Sequence, residues 1–290
     1  MARIKVTIAH SPDADDAFMF YALAKQKIPT GKYEVSHVLK DIESLNREAE
    51  QGTGTYEVTA ISYHQYPYVA GTYALLTAGA SFGEGYGPIA ISKKPMTVED
   101  LKSVTVAIPG ERTTAALALK LCVPGVKTVT MDFDKVLPAV AAGEVEAGVI
   151  IHEGQLSYQE EGLKPVVDLG VWWRQDTGLP LPLGGNAIHK DLGWVAMGEI
   201  GALLKASIAY GLAHREEALD YALSFGRGLD RARADRFVGM YVNERTLDLG
   251  ADGRKAVQLL LGRAHEAGLI PRRVPIEFVE APAAAGRAWP

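Results

Sequence analysis

Two stretches of the chain open in the same way, and this pairing limits the possible folds more than any other feature. In the first, the β-rich run Ile4-Lys5-Val6-Thr7-Ile8-Ala9 leads through Ser11-Pro12-Asp13-Ala14-Asp15-Asp16 into an apolar helical pattern at Phe18, Tyr21 and Ala22. Ser11 is placed to cap that helix, and Pro12 suits its first position, where no N–H is needed. In the second, Val104-Thr105-Val106-Ala107-Ile108 leads through Pro109-Gly110-Glu111-Arg112-Thr113-Thr114 into the helix former Ala115-Ala116-Leu117-Ala118-Leu119. Each is a strand that delivers a hydroxyl-bearing turn to a helix start. A second echo follows in each half. Gly54 to His64 and Gly143 to Glu153 both pass from a glycine and acidic residues into a short β run that ends in polar side chains. Two copies of one βα plan predict an α/β fold of two lobes with mainly parallel sheets, whose ligand sites lie beyond the strand C-termini. Ser11, Ser62, Thr113 and His152 then converge on one cleft.

The natural crossover points are Gly83-Glu84-Gly85-Tyr86-Gly87-Pro88 and Leu179-Pro180-Leu181-Pro182-Leu183-Gly184-Gly185-Asn186. They divide the chain into a discontinuous lobe I, residues 1–90 and 185–290, and a lobe II, residues 91–184. From Trp194 onward amphipathic patterns indicate helices that pack back on lobe I. The Ala- and Pro-rich tail from Pro282 reads as disordered or loosely packed.

With 290 residues, 48% of them hydrophobic and 22% charged, the chain has ample material for a core. A net charge of -5 without any Lys/Arg run argues against nucleic acid and anionic lipid as partners. The single Cys122 forms neither an internal disulfide nor a Cys-rich metal cage and reads as buried packing. Met1 to His10 lacks the apolar core and cleavage site of a secretory signal, and no window approaches about 18 uninterrupted apolar residues. The expectation is a cytoplasmic protein without a membrane span.

Several motifs carry possible chemistry. A phosphate cradle needs a helix directly after its glycines, whereas Pro88 and a β run follow Gly83 to Gly87; a hinge or close backbone approach fits better. Asp13, Asp15 and Asp16 read as first-turn acids that complement a helix dipole, because no His or Glu stands at metal-ligand spacing beside them. Thr113 and Thr114 combine hydroxyls with the N–H groups of a helix start, which suits either a carboxylate ligand or a plain cap. His152 follows Val149-Ile150-Ile151 and should emerge at a strand's C-terminal edge, where a neutral imidazole can take a proton near neutral pH, although a His at a strand end is more often structural than catalytic. With no Gly-x-Ser-x-Gly elbow and no Cys beside a His, proton transfer without a covalent intermediate suits the chain better than acyl transfer.

Together these motifs resemble the 1,4-dihydroxy-6-naphthoate synthases, the cyclic dehypoxanthinyl futalosine lyases of the futalosine route to menaquinone. The resemblance covers roughly residues 4 to 270. It rests on Ser11-Pro12 with Asp16-Ala17-Phe18-Met19-Phe20, Asp41-Ile42-Glu43-Ser44-Leu45-Asn46, Ile61-Ser62-Tyr63 and Gly85-Tyr86-Gly87-Pro88. It continues through Pro109-Gly110 with Thr113-Thr114, Ile150-Ile151-His152-Glu153, Asp168-Leu169-Gly170 with Trp172-Trp173, and Thr177-Gly178-Leu179-Pro180-Leu181-Pro182-Leu183-Gly184. Asp13 and Ala14, a lengthened Gly52-Thr53-Gly54 and the tail depart from it. The resemblance implies a type-II periplasmic-binding-protein-like α/β fold, two lobes with mixed, mainly parallel sheets joined by two crossovers. It further implies a small-molecule carboxylate substrate held by Ala60, Ile61, Ser62, Thr113 and Thr114, His152 as proton acceptor, and neither metal nor redox cofactor. Chorismate dehydratase of the same pathway and a cytoplasmic small-carboxylate binding protein are the competing expectations.

Overall fold

The computed structural model describes residues 3–54, 56–226 and 229–281; Thr55 and the tail from Pro282 lie outside the described residues. The strands run β1 (Ile4–His10), β2 (Tyr33–Leu39), β3 (Val58–Ser62), β4 (Tyr73–Leu76), β5 (Ser81–Gly83), β6 (Ile89–Ser92), β7 (Thr105–Ile108), β8 (Lys127–Thr130), β9 (Ala147–Ile150), β10 (Lys164–Asp168), β11 (Leu181–His189) and β12 (Phe278–Val279). The helices are α1 (Ala14–Ala24), α2 (Ile42–Gln51), α3 (Tyr66–Val69), α4 (Thr114–Cys122), α5 (Phe133–Ala142), α6 (Leu169–Thr177), α7 (Gly193–Ala213), α8 (Arg215–Leu223), α9 (Arg231–Tyr241), α10 (Glu244–Leu247) and α11 (Gly250–Glu266).

Two sheets result. One has the order β12-β4-β11-β3-β1-β2, with β5 also paired to β11; the other has the order β10-β6-β9-β7-β8. The paired openings of the sequence become the same unit twice. β1 lies between β2 and β3 and is parallel to both, with α1 and α2 as the returning helices. β7 lies likewise between β8 and β9, with α4 and α5 returning the chain. Beyond β3 and β9 each sheet adds an antiparallel strand, β11 and β6 respectively, and each of these enters just after the chain has crossed from the other sheet. The sheets are therefore mixed: parallel where a helix carries the chain back, antiparallel at the crossing strands.

The two crossings are held by tight contacts. At the first, Gly83 to Pro88 passes the start of α6. A Cβ on Gly170 would fall far inside van der Waals contact with the Tyr86 carbonyl, and one on Gly87 would lie 2.9 Å from the Gly170 nitrogen. This is the close backbone approach that the glycines anticipated. The Tyr86 hydroxyl donates to the Met240 carbonyl and ties the same segment to α9. At the second crossing the fully buried Trp173 donates from Nε1 to the Pro180 carbonyl at 3.0 Å.

Local chemistry explains the helix starts, with one correction. Thr113 caps α4, accepting from Ala116 N–H at 3.2 Å and donating to the Gly110 carbonyl at 2.8 Å. Asp41 caps α2 through Ser44 N–H at 3.0 Å. Ser11 does not cap α1. The extended residue before that helix is Asp13 (φ -111°, ψ 159°), and Ser11 instead donates its N–H to Asp16 Oδ2 at 2.7 Å. α1 buries Phe18, Met19, Phe20, Tyr21 and Leu23 because it runs beneath α7, α8 and α9. Cys122, expected to be buried, is half-buried at the end of α4; desolvation pushes its thiol up to about 11, which disfavours a nucleophilic thiolate.

One segment bears on the sequence expectation about membranes. Among the described residues, Lys190–Ala213 is long and apolar enough to cross a membrane by length and composition, although Glu199 and Lys205 interrupt it. Its Met197, Ile200, Leu204 and Ile208 are buried in the same core cluster as the apolar residues of α1.

Candidate active site

A cavity of about 140 Å³ is lined from both sheets, on the order of ten times the space that one ordered water needs. Ser11, Asp13, Asp15, Asp16, Ala60, Ile61, Ser62, Gly79, Ser81, Gly184, Gly185 and Asn186 come from elements of the first sheet; Thr113, Thr114, Ala115, Ile151 and Gln155 come from elements of the second. Phe237 and Tyr241 of α9 also face it. The lining lies at the ends of β1, β3 and β9 and at the start of α4, as strand-end sites in α/β sheets require.

The polar side chains are already partly engaged. Ser62 sits at the end of β3, and Asn46 of α2 clamps it twice: Asn46 Nδ2 donates to Ser62 Oγ at 3.1 Å, and Ser62 N–H donates to Asn46 Oδ1 at 2.9 Å. The Ser62 oxygen thus accepts, which directs its own proton elsewhere. Thr114 donates from Oγ1 to the Leu183 carbonyl at 2.6 Å, and the Thr113 hydroxyl is spent on the α4 cap. The two threonines therefore shape and join the walls, and the anion-binding capacity at this point comes from the first-turn N–H groups of α4. Arg112 does not line the cavity. Its guanidinium pairs with Glu50 at 3.1 Å and lies 3.9 Å from the Tyr68 ring centre, so it fastens the α4 start to the first lobe.

His152 stands next to the lining residue Ile151, two residues beyond β9, but is not itself among the lining side chains. Its Nδ1 accepts the Gly154 N–H at 2.9 Å, and its ring meets Phe133 edge-on at 5.7 Å between centroids. Because Nδ1 is an acceptor here, a neutral ring carries its proton on Nε2.

The aspartates are the residues whose place the sequence left undecided. Asp13, Asp15 and Asp16 read in the sequence as first-turn acids, with a pocket role for Asp16 left open, and all three line the cavity. Asn186 was missed, although an Asn inside the apolar strand β11 was a visible signal. Among the lining residues there is no Lys, Arg or His. Burial pushes the Asp16 carboxyl up to about 7, with the charge of Asp13 adding to it and the Ser11 N–H opposing. Burial first, and then the charges of Asp16, Asp13 and Glu153, drive Asp15 well above the usual carboxylate range. Among the described residues no group of three or more His, Cys, Asp or Glu side chains is arranged to hold a metal ion.

Burial holds three histidines, His10, His37 and His64, neutral. Burial depresses His10 to about 3, helped by the adjacent His37, and depresses His37 and His64 to about 4. Their folded values lie below the unfolded value near 6.5. Their contribution to stability is complete above that pH and is lost as pH falls toward 4, at up to about 1.4 kcal/mol per pH unit for each ring. Asp15 and Asp16, raised in the fold, act in the opposite sense across the same window. The resonances of these three rings should not titrate between pH 8 and 5 in an NMR titration; a midpoint near 6.5 for any of them would contradict its burial as a neutral group.

The two sheets, each a βαβαβ unit extended by an antiparallel strand that enters at a crossing, with a shared cavity between them, define the two-lobed periplasmic-binding-protein-like fold. The alkanesulfonate-binding protein SsuA from Xanthomonas axonopodis has this fold, at a TM-score of 0.70 and 16% identity, covering 95% of this chain and 97% of that one. The chain belongs to the menaquinone biosynthesis family, whose model matches residues 6–266. It is 40% identical over 262 residues to a 1,4-dihydroxy-6-naphthoate synthase of Thermus thermophilus, covering 90% of this chain and 94% of the relative. It is 37% identical over 281 residues to the protein of that name from Streptomyces coelicolor, covering 95% and 98%. A solved structure of protein AF1704 from Archaeoglobus fulgidus matches at a TM-score of 0.87 with 45% identity, covering 92% of this chain and 98% of that one.

Proposed function

We propose that this chain is a carbon–carbon lyase that converts cyclic dehypoxanthinyl futalosine to 1,4-dihydroxy-6-naphthoate, and that it works in the cytoplasm. The observation that carries the reading is the near full-length likeness to two proteins named for that product, joined to a cavity whose walls come from both sheets. The substrate's carboxylate meets the first-turn N–H groups of α4 beside Thr113 and Thr114, while Ala60, Ile61 and Ser62 hold its ring oxygens. Lobe I and lobe II, divided near residues 90 and 184, close over it and exclude water.

His152 is the proton acceptor in this proposal. Supporting this are its place at the end of β9 and its sequence adjacency to the cavity wall. For the ring to accept at Nδ1 it must give up the Gly154 N–H, and closure on the ligand supplies that adjustment. Deprotonation of a substrate hydroxyl then lets a retro-aldol-like cleavage proceed, with ring aromatisation as the driving force and a three-carbon ketone leaving.

The test is to incubate the protein separately with cyclic dehypoxanthinyl futalosine and with chorismate, following products by absorbance and mass. Formation of the naphthoate from the first alone is the expected result. Dehydration of chorismate would assign the chain to the competing reaction, and binding of either without turnover would make it a ligand-binding protein.

A further inference from the structure

We propose that Asn186 sets the specificity of this site by accepting a hydrogen bond from a hydroxyl of the three-carbon, sugar-derived part of the substrate, the part that leaves. The inference rests on the reading of the reaction given above and assigns it a further binding residue.

Asn186 lies inside β11, a strand otherwise made of Leu, Pro, Gly, Ala and Ile as far as His189. It is only 2% exposed, yet it lines the cavity. Its amide has one fixed orientation. Nδ2 donates to the Gly79 carbonyl at 2.8 Å, and because a carbonyl only accepts, the NH2 end must be the one that faces it. Gly79 is itself anchored: its N–H donates to the Thr246 carbonyl at 2.7 Å, its φ is 79°, and a Cβ there would collide with Asn186 Nδ2. The amide therefore cannot turn over. Its buried Oδ1 has no hydrogen-bond partner among the described residues. A buried acceptor left unpaired is costly, and a donor brought by the ligand satisfies it.

The strand also orders the site along its length. The Leu183 carbonyl accepts the Thr114 hydroxyl at the start of α4, Gly184 is paired with Ser62, and Asn186 is paired with Ala60. Residues two apart on a strand share a face, so Ser62, Ala60 and Asn186 stand on one face of the sheet. At about 3.4 Å per residue, Asn186 lies roughly 10 Å along β11 from the α4 contact. The Ser62 oxygen already accepts from Asn46 and so donates toward a ligand, whereas Asn186 accepts.

A ligand that matches this order has an anionic group at one end, an acceptor oxygen in the middle and an O–H donor at the far end. 1,4-Dihydroxy-6-naphthoate carries its carboxylate on one ring and its two oxygens on the other, and the three-carbon fragment departs from the oxygen-bearing side. With the carboxylate at the start of α4 and a ring oxygen at Ser62, the hydroxyl-bearing fragment is the part that reaches Asn186.

Asn186→Leu keeps the approximate size of the side chain and removes the acceptor. In the full-length protein it should lower kcat/KM for cyclic dehypoxanthinyl futalosine about 10- to 100-fold, the effect of stranding a ligand hydroxyl without its partner. The Kd of 1,4-dihydroxy-6-naphthoate, which lacks the fragment, should stay within about threefold by calorimetry. Asn186→Ala, which adds no bulk if Leu disturbs β11, should show the same split between substrate and product. Equal weakening of both molecules would mean that the residue serves only to hold Gly79, and would overturn the proposal, as would kcat/KM within threefold of wild type in either folded variant. If wild type binds cyclic dehypoxanthinyl futalosine without turnover, the assigned reaction fails while the contact is still read, as the same 10- to 100-fold loss in the Kd of that compound. A wild type that does not bind it at all would overturn both.

Discussion

Replacing His152 with Ala should cost turnover about 10² to 10⁴-fold while leaving ligand affinity within a few-fold, the range expected when a general base is removed. Part of any effect must be structural, because Nδ1 of this ring accepts the Gly154 N–H and so caps the short turn after β9. Losing such a cap costs about 1 kcal/mol. His152→Asn separates the two contributions: its amide oxygen can still accept that N–H but cannot take up a proton. Both variants should be inactive, with the Asn variant closer to wild type in melting temperature. Steady-state kinetics beside thermal melts make the comparison, and Asn turning over at a near-normal rate would leave His152 with the capping role alone.

The largest stability effect is expected at Gly170. Its α-carbon lies against the Tyr86 carbonyl, so the methyl of Gly170→Ala has no room unless backbone moves on one side of the crossing. Backbone yields less readily than a side chain, and a loss of about 3 kcal/mol or more follows. For a chain of this size the melting temperature should fall on the order of 10 °C. Gly262→Ala in α11 is the control. Nothing lies within 4 Å of its Cβ position, and replacing a helical glycine there should be neutral or stabilise by about 0.5–1 kcal/mol. Equal melting temperatures for the two variants would mean that the crossing is looser than its geometry indicates.

The βα openings were legible because their signals are local. A β-branched run, a turn with Pro or Gly, and an Ala- or Phe-rich helical period all lie within some twenty residues of one another. The doubled plan followed from reading them twice. The antiparallel entry of β6 and β11 was not legible, since it depends on strands meeting across long sequence separations. The Ser11 error had a specific cause: Ser-Pro is a common entry to a helix, but this chain turns two residues later and uses the Ser11 N–H to hold Asp16. The same tertiary fact hid the aspartates. In sequence they complement a dipole, and only the folded chain brings all three to the wall of a cavity shared by both sheets. Asn46 lay within a quoted motif, yet its double bond to Ser62 depends on how α2 packs against β3.

The central claim is that the cavity between the two sheets is where the reacting molecule sits. A crystal structure determined with 1,4-dihydroxy-6-naphthoate bound tests it most directly. The predicted result is the product within this cavity, its carboxylate at the start of α4, a ring oxygen at Ser62, and the His152 imidazole within about 3.2 Å of a substrate oxygen, the reach a general base needs. Product bound elsewhere, or bound here with His152 still turned onto Gly154 and out of reach, would contradict it.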